Sequence, residues 1–303
     1  MNPQVSICIT TRNRRQDLAR TLREIARLEP PPAELILVAD GCTDGTCEFV
    51  RTEFPAARLI VHEPARGSIP SRNEMAAICN SDVFLSLDDD SHPMERDALA
   101  RIAHLFKSNP GLAVAAFPQR TDETPATLTQ ADFGPARHVG YYANSAAALR
   151  SSVFAALGGY VDFFGHAYEE PDFALRCVAA GWQVRLEPAV TVRHHYTAAQ
   201  RSELRMHQQH SRNELWSVLL RCPAPQVFAI AVFRLARQAG YARGRGWLRR
   251  EPQWWRACLA GLPRCLAQRQ PLAWKKYRAW MQLVRQPIAD DAEWRAKFGT
   301  PRA

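Results

Sequence analysis

Short, uninterrupted apolar runs alternate with stretches of helical spacing through the first 117 residues. Val5-Ser6-Ile7-Cys8-Ile9-Thr10 predicts a buried strand, and apolar residues at 18, 22, 25 and 28 predict a helix over 17–28. Pro30-Pro31-Pro32 ends that helix before a second strand, 34–38. A turn over 40–45, a helix over 46–54, a strand over 58–61 and a helix over 70–79 lead to a fourth strand, Val83-Phe84-Leu85-Ser86-Leu87. A helix over 95–108 and a strand over 112–117 complete this half. Strand and helix alternating in this way predict an α/β fold with a doubly wound, mostly parallel sheet. Beyond residue 118 the alternation breaks. Residues 118–138 read as loop, 143–156 as a strand and a short helix, 171–181 as a helix and 182–186 as a strand; helical patterns interrupted by prolines follow residue 200. Three regions result: 1–117, 118–215 and a helical extension, 216–303.

Composition changes the picture chiefly through its unevenness. The net charge is +9, yet residues 201–303 carry 20 Lys+Arg against 6 Asp+Glu, while residues 1–200 carry 19 against 24. Seven of the eight tryptophans also lie after residue 200. A basic, tryptophan-rich helical surface suits an anionic membrane. Nucleic acid is not expected, because no helix-turn-helix, zinc or RNA-binding signature accompanies the charge. The eight cysteines form no CxxC pair, no leader pattern opens the chain, and no apolar stretch is long enough to span a bilayer. These features predict a cytoplasmic protein, peripheral on the inner face of the membrane.

Asp88-Asp89-Asp90 stands at the carboxyl end of the fourth predicted strand. Ligands of open α/β sheets bind at that edge. Adjacent carboxylates repel one another unless a cation neutralises them, and oxygen ligands favour Mg²⁺ or Mn²⁺ shared with phosphate. Asp40, ending the second strand, has the chemistry to accept the ring N–H of uracil or thymine. Arg12 and Arg14, after the first strand, suit base and phosphate contacts.

Four segments resemble signatures of the family 2 glycosyltransferases, in the same order. They are Ile9-Thr10-Thr11-Arg12-Asn13-Arg14, the segment from Val38 to Thr46 containing Asp40-Gly41-Cys42-Thr43-Asp44-Gly45, Arg66-Gly67 with Ser71-Arg72-Asn73, and Asp88-Asp89-Asp90 at the DxD position. Thr10, Arg12 and Ala39 depart from the usual Pro, Tyr and Asp. The resemblance implies a GT-A-like fold with a C-terminal helical extension. It also implies a metal-dependent, inverting transfer from a UDP- or dTDP-linked sugar to a hydroxyl on a glycan or glycolipid. In that reading residues 1–117 bind the donor and 118–215 the acceptor. Thr11, Arg12, Asn13, Arg14, Asp40, Arg72, Asp88 and Asp89 contact the nucleotide, and Asp88, Asp90 and His194 hold Mn²⁺ or Mg²⁺. The acidic segment Glu169-Glu170-Pro171-Asp172 resembles the family's Glu-Asp-x-Asp and supplies the general base, Glu170 first, with Glu169 and Asp172 as alternatives. Gln209-His210-Ser211-Arg212-Asn213 resembles an Arg-Asn pair near the acceptor end. A sugar nucleotidyltransferase and a non-catalytic nucleotide-sugar-binding module are the competing readings.

Overall fold

The structure, a computed structural model, describes residues 2–196 and 202–301. Eight strands form the central sheet: β1 (Val5–Thr11), β2 (Leu35–Asp40), β3 (Arg58–His62), β4 (Val83–Asp88), β6 (Leu112–Ala116), β8 (Arg137–His138), β9 (Ala147–Arg150) and β10 (Gln183–Leu186). Their order is β3-β2-β1-β4-β9-β6-β10-β8. β3, β2, β1 and β4 run parallel, β9 runs antiparallel between β4 and β6, and β8 is antiparallel to β10. The central strands carry continuous apolar runs because helices cover both faces: Ile7, Ile9, Ile36, Leu37, Val38 and Ala39 are fully buried.

Six helices belong to this layer: α1 (Arg15–Ile25), α2 (Thr46–Glu53), α3 (Ser68–Ile78), α4 (Ala98–Ser108), α5 (Ser151–Ala156) and α6 (Glu169–Ala179). A second sheet, ordered β5-β11-β7, is built from β5 (Ser91–Pro93), β7 (Gln119–Thr121) and β11 (Val192–His194). The stretch 118–138, expected as loop, therefore holds two short strands. Residues 192–194, expected to follow a strand, are one. Both strands are too short for a two-residue period to register in sequence.

Six further helices follow: α7 (Glu203–Arg221), α8 (Gln226–Gly244), α9 (Glu251–Ala260), α10 (Leu262–Ala267), α11 (Trp274–Arg285) and α12 (Asp291–Phe298). The last two return to the sheet. Trp280 donates Nε1–H to the Gly140 carbonyl at 2.8 Å, and Trp294 stacks on His138, whose backbone bridges to Ile288. Trp216, Tyr277, Trp280 and Trp294 belong to the same buried cluster as Val114, Leu149 and Phe173 of the α/β layers. The C-terminal residues thus share the core of the α/β layers. Their tryptophans are mostly inside: of the eight in the chain, only Trp255 is exposed.

Candidate functional site

The acidic triplet sits where β4 turns into β5. Ser91 Oγ accepts the Asp88 N–H at 2.8 Å and donates to the Asp88 carbonyl at 3.2 Å, closing the turn. Thr21 of α1 donates to the Asp89 carbonyl at 2.8 Å. Register then brings in the histidine: β11 runs antiparallel to β5 with His194 opposite Ser91. His194 Nε2 lies 3.1 Å from Asp90 Oδ1, and ligand atoms of Asp88, Asp90 and His194 all fall within 4.8 Å of one another. The three residues expected to share a cation therefore converge. Two carboxylates and an imidazole form a mixed O/N donor set suited to a divalent ion such as Mn²⁺.

Arg14 forks across the neighbouring oxygens, 2.7 Å from Asp89 Oδ1 and 2.7 Å from Asp90 Oδ2. Burial pushes the Asp90 carboxyl up, but His194 and Arg14 outweigh it and hold it at about 2. Burial wins at Asp89, which is raised to about 7 despite Arg14. Asp89 is 4% exposed, and its second oxygen accepts from Thr11 Oγ1 at 2.8 Å. Thr11, Arg14 and Asp89, expected to meet the nucleotide, bond to one another in this internal frame. Asn13 is likewise engaged: with φ 53 it turns its Oδ1 to the Thr43 N–H at 2.7 Å, joining the loops after β1 and β2. Arg12 is exposed.

Asp40 organises the opposite wall. Its carboxylate accepts the Arg66 N–H at 2.7 Å, the Gly67 N–H at 2.9 Å and His62 Nδ1 at 3.0 Å. Burial would raise its pKa, yet these donors bring it below the usual range. Gly67 adopts φ +104, and a Cβ there would stand 2.9 Å from the Gly165 carbonyl. Only glycine lets the loop fixed by Asp40 approach the loop that leads into α6. Ser68 Oγ and His166 Nδ1, 3.0 Å apart, reinforce that approach.

Glu169 and Glu170 open α6. Asn144 holds both: its Nδ2 donates to Glu169 Oε1 at 3.2 Å and its backbone N–H to Glu170 Oε1 at 3.3 Å. Tyr160 in turn donates to Asn144 Oδ1 at 2.6 Å. Burial, then the adjacent Glu169 charge, raises the Glu170 carboxyl well above its ordinary value. Arg72 pairs with Asp88. It is 7% exposed, 2.5 Å from Asp88 Oδ1 and 2.7 Å from Ser86 Oγ. Burial lowers its pKa, but Asp88, Glu169 and Glu170 carry it upward, so all three carboxylates share its field.

Asp172, an alternative base by sequence, has no oxygen to spare. It is fully buried, with Ser217 at 2.9 Å, Arg221 at 3.1 Å and Arg176 at 2.9 Å on its carboxylate. It ties α6 to α7 through these contacts.

Asn213, in the Arg-Asn pair, has a structural role that the sequence did not convey. Fully buried on α7, it donates Nδ2–H to the carbonyls of Phe164 (3.1 Å), His166 (2.7 Å) and Ala167 (2.7 Å). Ala167 and Tyr168 have φ 72 and 69, conformations that side chains with a Cβ rarely adopt and that cost about 1–3 kcal/mol each. The Asn213 amide satisfies the carbonyls this twist turns inward, and so fixes the start of α6. Asn213→Ala is expected to lower kcat by about tenfold or more with little change in donor KM, measured in steady state. An unchanged kcat would reduce Asn213 to packing.

Comparison with known proteins places this geometry. The sequence model described as Glycosyl transferase family 2 matches residues 6–161, just over half of the chain. The chain belongs to glycosyl transferase family 2. A pre-mycofactocin glycosyltransferase of Mycobacterium tuberculosis (strain CDC 1551 / Oshkosh) is 26% identical over 207 residues, covering 63% of this chain and 42% of that protein. The chain thus matches less than half the length of this relative. Among solved structures, S. aureus TarS residues 1–349 superpose with a TM-score of 0.61 at 15% identity, over 93% of this chain and 91% of that one. The mannosyltransferase PcManGT from Pyrobaculum calidifontis, in complex with GDP-Man and Mn²⁺, gives 0.57 at 18% identity, over 94% and 85%. GalNAc-T7 with UDP, GalNAc and Mn²⁺ gives 0.60 at 14%, over 74% and 49%. The fold is that of the GT-A glycosyltransferases, with a helical C-terminal region.

Proposed function

We propose that this family 2 protein transfers a sugar from a nucleoside-diphosphate donor to a hydroxyl of a glycan or lipid-linked acceptor, inverting the anomeric centre in one displacement. The observation that carries this reading is the convergence of Asp88, Asp90 and His194 at the carboxyl end of β4. Asp88, Asp90 and His194 would hold a divalent ion, Mn²⁺ or Mg²⁺, which when bound would neutralise the diphosphate leaving group. Asp40 accepts three N–H groups, and a carboxylate has about four acceptor sites. One site is left for the imide N–H of uracil or thymine. Arg12 is an exposed guanidinium available to the nucleotide, and Arg72 holds Asp88. Glu170 takes the acceptor proton as the hydroxyl oxygen attacks, and Glu169, pinned by Asn144, keeps it basic.

The donors bound by solved relatives, UDP-GlcNAc in TarS and GDP-Man in PcManGT, favour nucleotide sugars as a class. Incubating the protein with UDP-, dTDP- and GDP-sugars, each metal and a hydroxyl-acceptor panel is expected to release nucleoside diphosphate with at least one donor. Tight donor binding without release on every acceptor would instead make it a binding module. Nucleotide-sugar formation from a nucleoside triphosphate and a sugar 1-phosphate would make it a nucleotidyltransferase.

A further inference from the structure

The C-terminal helices wear their polarity inside out. α8 turns Arg234 and Arg237 toward the buried Glu214 of α7, with Arg234 3.0 Å from it and Gln238 donating to it at 2.9 Å. Its outward face carries Phe228, Val232 and Phe233 at 72%, 66% and 56% exposure. The exposed positions between 228 and 240 are otherwise alanine or glycine, apart from Arg237. A helix facing water shows the reverse pattern. α9 lies beside α8 on α7, the two sharing a small core of Leu215, Trp254, Cys258, Ala231 and Leu235. α9 exposes Trp255 and Leu259, and α10 exposes Leu266. Eight of the twelve exposed large hydrophobic side chains among the described residues fall between 228 and 266, a concentration that scattered surface apolars do not produce.

We propose that this outer face docks on an anionic lipid bilayer. Charge complementarity selects the occupant. Residues 226–270 contain nine arginines, no lysine and one acidic residue, Glu251, which is itself buried. Arg243, Arg249, Arg250, Arg256 and Arg264 are exposed and interleave in sequence with the exposed apolar residues. Guanidinium groups bind phosphate in bidentate fashion, and apolar side chains beside them reach past the headgroups. A second copy of the chain fits poorly, because a two-fold interface would face this arginine-rich surface with itself. The contact is superficial: among the described residues, no helix is long and apolar enough to cross a membrane. Of the tryptophans, which the sequence suggested as the lipid contacts, Trp255 is exposed, and Phe228, Val232, Phe233, Leu259 and Leu266 join it. The docking requires nothing of the catalytic assignment.

Vesicle flotation tests it with the full chain, using phosphatidylcholine alone or mixed with phosphatidylglycerol, at low and high salt. The wild type is expected to float with the mixed vesicles, lose that association in high salt, and stay with the soluble fraction in pure phosphatidylcholine. Phe228→Ser/Val232→Ser/Phe233→Ser and Arg249→Ala/Arg250→Ala/Arg256→Ala are each expected to weaken partitioning by about tenfold or more. Both should keep the wild-type melting temperature, since the altered side chains are exposed. The proposal fails if the wild type ignores both vesicle compositions. It also fails if light scattering shows a dimer that the triple serine variant dissociates, for then a second copy covers the face.

Discussion

Glu170→Gln is expected to lower sugar transfer by about two to four orders of magnitude while the nucleotide sugar still binds. Glutamine keeps the side chain's shape and can retain the contact with the Asn144 N–H, but it cannot accept a proton. The pH dependence sharpens the test. Burial and Glu169 raise the Glu170 carboxyl well above its usual range. The ionised form is the working base, so kcat/KM should rise with pH through that raised value. Its acid limb should lie above that of an ordinary carboxylate of about 4.3. Stability runs the opposite way. A carboxyl raised by folding contributes its full stability below the unfolded value and loses it as pH rises through the folded one. Glu170→Gln should therefore melt at an equal or higher temperature than wild type in mildly alkaline buffer. An inactive variant that is also less stable would point to damage rather than a missing base. Near-normal turnover would move the base to Glu169.

Residues that announce themselves by type and position were legible in the sequence, and those that act through another residue were not. The alternation that predicts the sheet reflects burial on both faces, so strands such as Leu35–Asp40 were visible as apolar runs. The convergence of Asp88 and Asp90 with His194 was anticipated from motif order, although the strand pairing that produces it, β11 on β5, was not. Thr11, Arg14 and Asp89 show the limit. Thr11 and Arg14 have chemistry suited to phosphate, and only the fold shows that both bond to Asp89. Asp172 belongs with them, since the arginines that neutralise it sit four and 49 residues away. Asn144 carried no signal at all. Asn213 lay in a recognisable Arg-Asn pair whose work, holding three carbonyls at the entry to α6, depends on left-handed residues that no hydrophobic pattern encodes.

Asp90→Asn is expected to cut transfer by about a hundredfold or more and to weaken Mn²⁺ binding measured by calorimetry. Asp90 meets both His194 and Arg14, and its pKa of about 2 keeps it ionised at any working pH, ready to ligate without releasing a proton. The same depression makes it a stabilising charge. Its contribution is present above the unfolded value of about 3.9 and is lost as pH falls toward 2, so the variant should lose about 2 kcal/mol at neutral pH. Lost stability alone could mimic a catalytic defect, and Asp89→Asn separates the two. Asp89 shares the Arg14 fork but lies outside the group formed by Asp88, Asp90 and His194. It should keep wild-type Mn²⁺ affinity whatever its melting temperature. Chelation of the wild type should abolish transfer, and added Mn²⁺ should restore it. If Asp90→Asn binds Mn²⁺ as tightly as wild type, the cation site is not at this turn, and the triplet reverts to a frame for the loop after β1.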